Sequence, residues 1–492
     1  HGSQALSLCD RSMGRAALFL GVLLAVLIGG GGVRAAPEKP LPAPPVSSAA
    51  PQGGASSDTP SASGEKMFDA QSFVLPNGLE VVVIPNDRAP VVTSMVWIRA
   101  GSADEPWGKS GSAHFFEHLM FKGTPTVGPG EFSKTVRALG GNDNAFTSYD
   151  YTAYFESVSV ENLERVLAME ADRMRNLDPP PDHFASERKV ILEERRERTD
   201  NDPRARFSEQ LRAALYVNHP YGRPVIGWFD EMEKLDWPTV KKFYDKFYGP
   251  NNAILVVSGD TNAEKLRPVV ERVFGSLKPL DPVPSRKRPS VPPLTGRMTL
   301  TWTDPAIRQP ALERLYRVPS WREAKEESAA LQVLEEILSG GPSTRLYKAL
   351  AVNSKKVSAV SFFYDPQRWD NAEAGFSATL LPGVTLQAIE AGIDDVLRSL
   401  IRDGVGAEEL RMAKDSLKDG AIYARDSLTG PAMIVGQALA TGATLDDVET
   451  WPARIDAVTA EQVRAVAKKY LDPDDPAPPL SVTGHLLAGG SP

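Results

Sequence analysis

Apolar residues follow two different patterns along the chain, which together predict a mixture of strands and helices. Short apolar or alternating runs bounded by turn residues predict strands, and a first pair within residues 73–84 is separated by an Asn-Gly turn. Strands are also expected at 91–100, 145–158 and 252–258, and helices at 130–139, 161–177 and 182–200. Because strands and helices mix without regular alternation, the pattern favours an α+β fold of mixed or antiparallel sheets covered by helices.

The second half of the chain repeats the plan of the first half. It contains a predicted strand near 298–303, a long helix at about 322–338 and strands near 356–380. The segment from Phe243 to Pro250 is echoed by the segment from Ala467 to Pro473. This repetition predicts an internal duplication that gives two homologous domains, each an α/β sandwich.

Changes in composition indicate where the domains begin and end. A chain of 492 residues can form two or three domains with sizeable cores. The basic cluster Arg286-Lys287-Arg288 lies in a Pro-rich bridge between the halves and is expected to be a solvated linker. The predicted divisions are a leader and signal peptide (1–36), a disordered Pro/Ala/Ser-rich tether (37–66), a first domain (67–276), a linker (277–295), a second domain (296–475) and a C-terminal tail (476–492).

The N-terminal segment has the features of an export signal. Met13 is followed by Arg15, by an apolar run from Ala16 to Ile28, and by a glycine-rich stretch that ends in Val33-Arg34-Ala35-Ala36. The run is short for a membrane span, which needs about 20 residues, and an uncleaved N-terminal anchor is the alternative. The only cysteine, Cys9, lies in this segment, so the mature protein would have neither a thiol nor a disulfide. These features predict an exported protein of a Gram-negative periplasm, without a membrane span after signal cleavage.

The overall composition is typical of a soluble globular protein. Hydrophobic residues make up 42% of the chain and charged residues 24%. The net charge of −8 offers no basic surface for phosphates, which argues against nucleic acid as a partner.

The segment His114-Phe115-Phe116-Glu117-His118 carries the clearest chemical signal in the sequence. Its apolar surroundings predict a buried helix, in which residues four apart share one face. Both imidazoles can therefore reach one metal ion, with Glu117 beside them. This is the H-x-x-E-H pattern of the inverzincins. Two buried structural histidines are the alternative interpretation.

A third metal ligand has to come from elsewhere in the chain. A catalytic zinc usually takes three protein ligands and leaves one position to water. The other histidines are scattered singly, so a glutamate is the better candidate. Glu187 and Glu194 are seven residues apart on a predicted helix and lie on one stripe, whereas Glu193 is rotated by about 100° and would point away.

With these residues and three further segments, the chain resembles the insulinase/pitrilysin family of zinc metallopeptidases. It is similar to the short bacterial members and to the catalytic subunit of the mitochondrial processing peptidase, over roughly residues 68–475. The resemblance implies one zinc per chain held by His114, His118 and Glu194, with Glu187 supporting the site. The further matching segments are Gly140–Thr152, His219–Gly222 and Tyr248–Ala253.

The expected activity is hydrolysis of peptide bonds in extended peptides or unfolded segments. A zinc-bound water has a pKa lowered towards about 7, and Glu117 is the expected general base that takes its proton. The resemblance places Asn144 and Ala145 on an edge strand to which a peptide substrate adds. A non-catalytic peptide-binding or assembly subunit and a small-molecule amidase are the alternative functions.

The sequence departs from the family pattern in the second half. The helix aligned with the metal motif carries Leu334-Glu335-Glu336-Ile337-Leu338, without a histidine. An Arg and a Tyr that usually stabilise the tetrahedral intermediate are expected at two positions occupied here by Ala351 and Ser358.

The resemblance also implies a partner, because full-length family members close four domains around the peptide and this chain has two. It would form half of the clamshell. A heterodimer with a metal-less sister subunit that supplies the Arg and Tyr is favoured, and a homodimer is the alternative.

Overall fold

The computed structural model describes residues 66–292 and 294–489. The predicted leader, signal peptide and tether up to residue 65 lie outside the described residues. No helix within the described ranges is long and apolar enough to cross a membrane.

The first half forms a six-stranded sheet with helices packed on it. Its strands are β1 Gln71–Val74, β2 Glu80–Pro85, β3 Val91–Ile98, β4 Asn142–Thr147, β5 Thr152–Ser159 and β6 Ala253–Gly259, in the order β1-β2-β6-β3-β5-β4. Its helices are α1 Ser112–Leu119, α2 Glu131–Ala138, α3 Leu163–Asn176, α4 Pro181–Arg195, α5 Pro203–Leu215, α6 Phe229–Met232, α7 Trp237–Phe247 and α8 Ala263–Phe274.

The second half forms a five-stranded sheet, also covered by helices. Its strands are β7 Arg297–Asp304, β8 Ala311–Val318, β9 Val357–Asp365, β10 Ala372–Leu380 and β11 Ser481–Ala488, in the order β7-β11-β8-β10-β9. Its helices are α9 Lys325–Ser339, α10 Leu386–Asp403, α11 Ala407–Asp426, α12 Gly430–Ala440, α13 Leu445–Glu449, α14 Trp451–Ala457 and α15 Ala460–Leu471.

The two sheets share one topology, as an internal duplication requires. The first sheet without β1 has the order β2-β6-β3-β5-β4, which matches β7-β11-β8-β10-β9 strand for strand. In each sheet one pair is parallel, β2 with β6 and β7 with β11, and every other pair is antiparallel. The predicted α+β class with two homologous mixed sheets is confirmed.

The two halves exchange one covering helix. Helix α12 of the second half packs on the first sheet, where a Cβ at Gly436 would lie 2.0 Å from Trp97 Nε1. Helix α5 of the first half packs on the second sheet, where a Cβ at Gly484 would lie 2.6 Å from both Phe207 and Leu211. Each sheet thus buries one face against a helix from the other half, and the described residues of both halves cluster as one compact unit.

The structure differs from the predicted strand at 145–158 and from the predicted C-terminal tail. Residues 145–158 are not one strand but parts of β4 and β5, because Ser148 N–H bonds to Tyr151 O (2.8 Å) and closes a turn. Residues 481–488, predicted to lie in a C-terminal tail, form β11 between β7 and β8. Val482 and Leu486 alternate into the core at 0% and 2% exposure, which stabilises this central position.

The prediction of a solvated basic linker was also wrong for two of its arginines. The side chains of Arg286 and Arg288 are 9% and 5% exposed. Arg288 pairs with Asp104 (2.9 Å) and Asp150 (2.5 Å) of the first half and with Asp370 (3.0 Å) of the second. Carboxylates from both halves converge on the linker, and the buried guanidinium of Arg288 forms ion pairs with all three of them.

Candidate metal centre

The first turn of helix α1 is held in place beside the first sheet by a glycine and a buried carboxylate. Gly111, before its first residue, has φ +87°, and a Cβ there would lie 2.7 Å from Ile226 O. The buried Glu105 carboxylate accepts hydrogen bonds from the N–H groups of Gly111 (3.0 Å) and Ala113 (2.7 Å). These bonds satisfy backbone donors that the first turn of a helix leaves free. The apolar side chains of α1, Phe115, Phe116 and Leu119, are fully buried.

His114 and His118 on α1 meet Glu194 on α4. The Nε2 atoms of His114 and His118 lie 3.8 Å and 3.3 Å from one oxygen, Oε2, of Glu194. One possible ligand atom from each residue lies within 4.8 Å of the others. Among the described residues, these three form the one group of His, Cys, Asp or Glu side chains close enough to hold an ion. Glu193 instead points outward and pairs with Arg196 (2.8 Å), as the helical spacing predicts.

The donor set fits zinc. Atoms bound tetrahedrally at zinc–ligand distances of about 2.0–2.2 Å lie about 3.4 Å apart, which is close to the two Nε2–Oε2 separations. Glu194 Oε2 is buried and makes no hydrogen bond to a described residue. A buried carboxylate oxygen without a hydrogen bond is costly, and a cation would satisfy it.

The charges around the two imidazoles differ. Burial and the neighbouring His118 lower the pKa of His114 to about 3, so this ring is neutral at pH 7. Burial also disfavours charge on His118, but its hydrogen bond to Glu187 and the close Glu194 carboxylate outweigh burial and raise its pKa to about 9. Burial opposes ionisation of Glu194, yet the close His118 ring and the other nearby positive charges lower its pKa to about 2. The site therefore presents an ionised carboxylate for a cation.

Glu187 holds the second histidine in place. Its Oε1 lies 2.8 Å from His118 Nδ1, and its Oε2 lies 2.5 Å from Lys122 Nζ. Burial raises the pKa of Glu187, but these two hydrogen bonds lower it by more, so the net shift is downward. The ionised Glu187 accepts a hydrogen bond from His118 Nδ1, which orients the ring so that Nε2 faces Glu194 and is the atom available to a metal ion.

Glu117 lies between the candidate metal ligands (His114, His118 and Glu194) and the edge of the first sheet. It is 9% exposed, and burial raises the pKa of its carboxyl. Thr147, the last residue of β4, donates its hydroxyl to Glu117 Oε2 at 2.5 Å. A carboxyl group with a raised pKa can accept and return a proton near neutral pH.

Among the described strands, β4 is an edge strand that pairs with β5 alone. Asn144 is exposed and Ala145 is 7% exposed. The Asn144 side chain accepts a hydrogen bond from the Ala145 backbone N–H (2.8 Å). The two residues predicted to bind substrate therefore lie on an open edge whose far end, Thr147, contacts Glu117.

Three residues of the site were not predicted: Lys122, Thr147 and Arg198. Arg198 Nη1 lies 2.8 Å from Glu194 Oε1. Lys122 and Arg198 each follow a predicted ligand by four residues, and this helical spacing is a signal that could have identified them. Thr147 lies 30 residues from Glu117, and nothing in the local sequence indicates their contact.

The second half lacks corresponding groups in its described residues. No comparable set of metal ligands occurs there. Ala351 lies in a π-helical turn, Tyr347–Asn353, and has no side-chain donor. Ser358 is exposed on β9, and its hydroxyl donates to Thr379 O (3.3 Å). Arg345, which precedes the π-helical turn, pairs with Glu409 (2.7 Å).

A cavity of about 990 Å³ lies elsewhere, between the linker and the start of α1. Glu105, Trp107, Arg223 and the linker prolines line it, and no predicted site residue does. The candidate metal ligands therefore do not line this cavity.

Comparison with known proteins places both halves in one family. The family model described as "Insulinase (Peptidase family M16)" matches residues 81–227, and the one described as "Peptidase M16 inactive domain" matches residues 235–417. The zinc protease PqqE of Helicobacter pylori is 35% identical over 71% of this chain and 78% of its own length.

A more distant relative and a solved structure agree with this placement. A probable mitochondrial-processing peptidase subunit beta of Arabidopsis thaliana is 26% identical over 84% of this chain and 78% of its own length. The crystal structure of the first half of the periplasmic protease PqqL from Escherichia coli has the same fold, with a TM-score of 0.71, 21% identity and coverage of 86% and 93% of the two chains. The chain belongs to the insulinase family of zinc proteases, peptidase family M16.

Proposed function

We propose that this chain is a zinc-dependent endopeptidase that hydrolyses peptide bonds in extended peptides or unfolded segments. One observation carries the proposal: the convergence of His114, His118 and Glu194 beside Glu117, which the end of the open edge strand contacts through Thr147. These groups are the ligands, the base and the substrate edge that metal-assisted hydrolysis requires.

Each residue of this set has a separate role. His114, His118 and Glu194 would hold one zinc, which would supply a water of lowered pKa and polarise the peptide carbonyl. Glu117 takes a proton from the attacking water at its carboxylate and passes it to the leaving amine. Glu187 keeps the proton of His118 on Nδ1, so that Nε2 remains a ligand.

The substrate would add to β4 as a further strand. A peptide that pairs with this edge competes with the Asn144 side chain for the Ala145 N–H. Main-chain pairing of this kind depends little on sequence, so it suits a peptidase for extended segments.

Export to the periplasm, indicated by the N-terminal signal pattern, belongs to the same proposal.

Substitution of the base provides the main test. Zinc content and cleavage of a quenched peptide are measured for the wild type, Glu117→Gln and Glu193→Gln, whose substituted glutamate is exposed on α4. We expect Glu117→Gln to retain zinc and lose most turnover, while Glu193→Gln behaves as the wild type. A zinc-loaded Glu117→Gln protein that cleaves as fast as the wild type would refute the mechanism.

A second candidate function is a subunit that needs a partner for activity. Ala351 and Ser358 offer no charged donor to an oxyanion, and loss of one such donor typically lowers the rate by about 10²–10³. A sister subunit with Arg and Tyr at the two positions would restore the donors, whereas a homodimer would not. We therefore favour a heterodimer.

Measurements on the isolated chain distinguish the heterodimer from the homodimer. Its mass in solution and its peptidase rate are measured before and after addition of a family member that has the Arg and Tyr but no metal motif. The heterodimer predicts a low rate that rises on addition. Full activity alone, unchanged by the second chain, would contradict it.

A further inference from the structure

We infer that Arg198 is a positioning residue that holds Glu194 in the orientation in which it binds the metal. It does so by binding the carboxylate oxygen that faces away from the histidines. This role rests on the proposed function, because it concerns the zinc that the site is proposed to hold.

The geometry separates the two oxygens of Glu194. Oε2 lies 3.3 Å from His118 Nε2 and 3.8 Å from His114 Nε2. Oε1 lies 2.8 Å from Arg198 Nη1, its one ion-pair partner in the described structure. With Oε1 held in this way, rotation of the carboxylate about its terminal bond is restricted and Oε2 remains directed at the imidazoles.

The backbone that carries Arg198 is itself anchored. Helix α4 continues into a π-helical turn, Arg196–Asp200. The buried Arg195 binds Glu209 of α5 through two 3.0 Å hydrogen bonds and donates a third to Gly227 O (2.8 Å). Arg195 also pairs with Asp200 (3.3 Å) at the end of the turn. Glu194 and Arg198 are thus attached to a segment fixed from both sides.

A guanidinium near a dication also repels it, and the two effects have opposite signs. The Arg198 side chain is 40% exposed, so water screens its repulsion of an ion. Its contact with Oε1 is direct and orients the ligand. Partners that orient a ligand typically contribute about 10- to 100-fold to metal affinity, so we expect orientation to outweigh repulsion.

Arg196 provides a matched control in the same turn. It is 48% exposed and pairs with Glu193 (2.8 Å), an outward-facing glutamate. Like Arg198, it is a partly exposed arginine that pairs with a glutamate of α4. Its partner, however, is not one of the candidate metal ligands.

The test measures zinc affinity by competition with a chromophoric chelator for the wild type, Arg198→Met, Arg198→Lys and Arg196→Met. We expect Arg198→Met to bind zinc about 10- to 100-fold more weakly. Arg198→Lys, which keeps a cation at this position, should recover part of the affinity, and Arg196→Met should match the wild type. The melting temperature of the metal-free proteins should be equal, because Arg198 is exposed and makes no core contact.

Two results would overturn the inference: Arg198→Met that binds zinc as tightly as the wild type or more tightly, or Arg196→Met that weakens binding equally. Failure of the proposed function is recognised separately. A wild type that binds zinc but cleaves no peptide, even after addition of a sister subunit that has the Arg and Tyr, would remove the peptidase proposal and leave the role of Arg198 intact.

Discussion

At the scale of single residues, the site depends on side chains that orient the ligands. Glu187 is buried at 6% exposure and links His118 to Lys122, whereas Glu193 on the same helix is exposed. We predict that Glu187→Gln lowers zinc affinity about tenfold, because the neutral amide no longer stabilises a proton on His118 Nδ1 or pairs with Lys122. Zinc titration of Glu187→Gln and Glu193→Gln checks this, and equal affinities in the two variants would contradict it.

A second residue-scale prediction concerns pH. Burial alone would raise the pKa of Asp150, but Arg288 and Arg286 outweigh it and lower the pKa to about 2, below the usual 3.8. A depressed carboxyl pKa stabilises the fold above the unfolded value, and this contribution is lost as pH falls from about 4 to 2. It amounts to about 2 kcal/mol. The difference in unfolding free energy between wild type and Asp150→Asn should therefore shrink over this range, as denaturant titrations at each pH would show.

At the scale of elements, the position of α1 depends on the glycine before it. Gly111 has φ +87° and no room for a Cβ, whereas Gly108 has φ +75° and nothing within 4 Å of a Cβ. We predict that Gly108→Ala costs about 1 kcal/mol, from the left-handed conformation alone. Gly111→Ala should cost about 2–4 kcal/mol, because a clash with Ile226 O is added. Urea unfolding of both variants measures the difference, and equal costs would show that the close packing around Gly111 is unimportant.

At the scale of the whole molecule, the linker fastens the two halves together. Arg288 is buried between three carboxylates, whereas its neighbour Lys287 is exposed. We predict that Arg288→Met lowers the free energy of unfolding by about 3–5 kcal/mol, since Asp104 and Asp150 would remain buried after losing their closest counter-charge. Lys287→Met should stay within about 0.5 kcal/mol of the wild type. A stable Arg288→Met protein would mean that the network relaxes or takes up protons at no cost.

The exchange of α5 and α12 between the sheets makes separate folding of the two halves unfavourable. Trp97 of the first sheet contacts Gly436 of α12, and Phe207 of α5 contacts Gly484 of β11. Cutting the chain at the linker would expose both contacts to water. The two halves therefore pack as one compact unit, which composition and the repeated pattern of elements do not show.

The sequence by itself determined the local geometry of the candidate metal site. Helical periodicity places His114 and His118 on one face of α1, and it separates Glu194 from the outward-facing Glu193 on α4. The repeated order of elements likewise predicts two sheets of one topology. These features depend on residues within two helical turns or on successive segments, and such short-range relations follow directly from the chain.

Only the tertiary structure decided which distant groups meet. The contact of Thr147 with Glu117, the central place of β11 and the burial of Arg288 each join residues 30 or more positions apart. No periodicity in the sequence encodes such pairings, since they arise when sheets close and charged groups lose water. The linker shows the reason most clearly: Arg286 and Arg288 have the sequence of a solvated segment, but carboxylates from both halves surround them after folding.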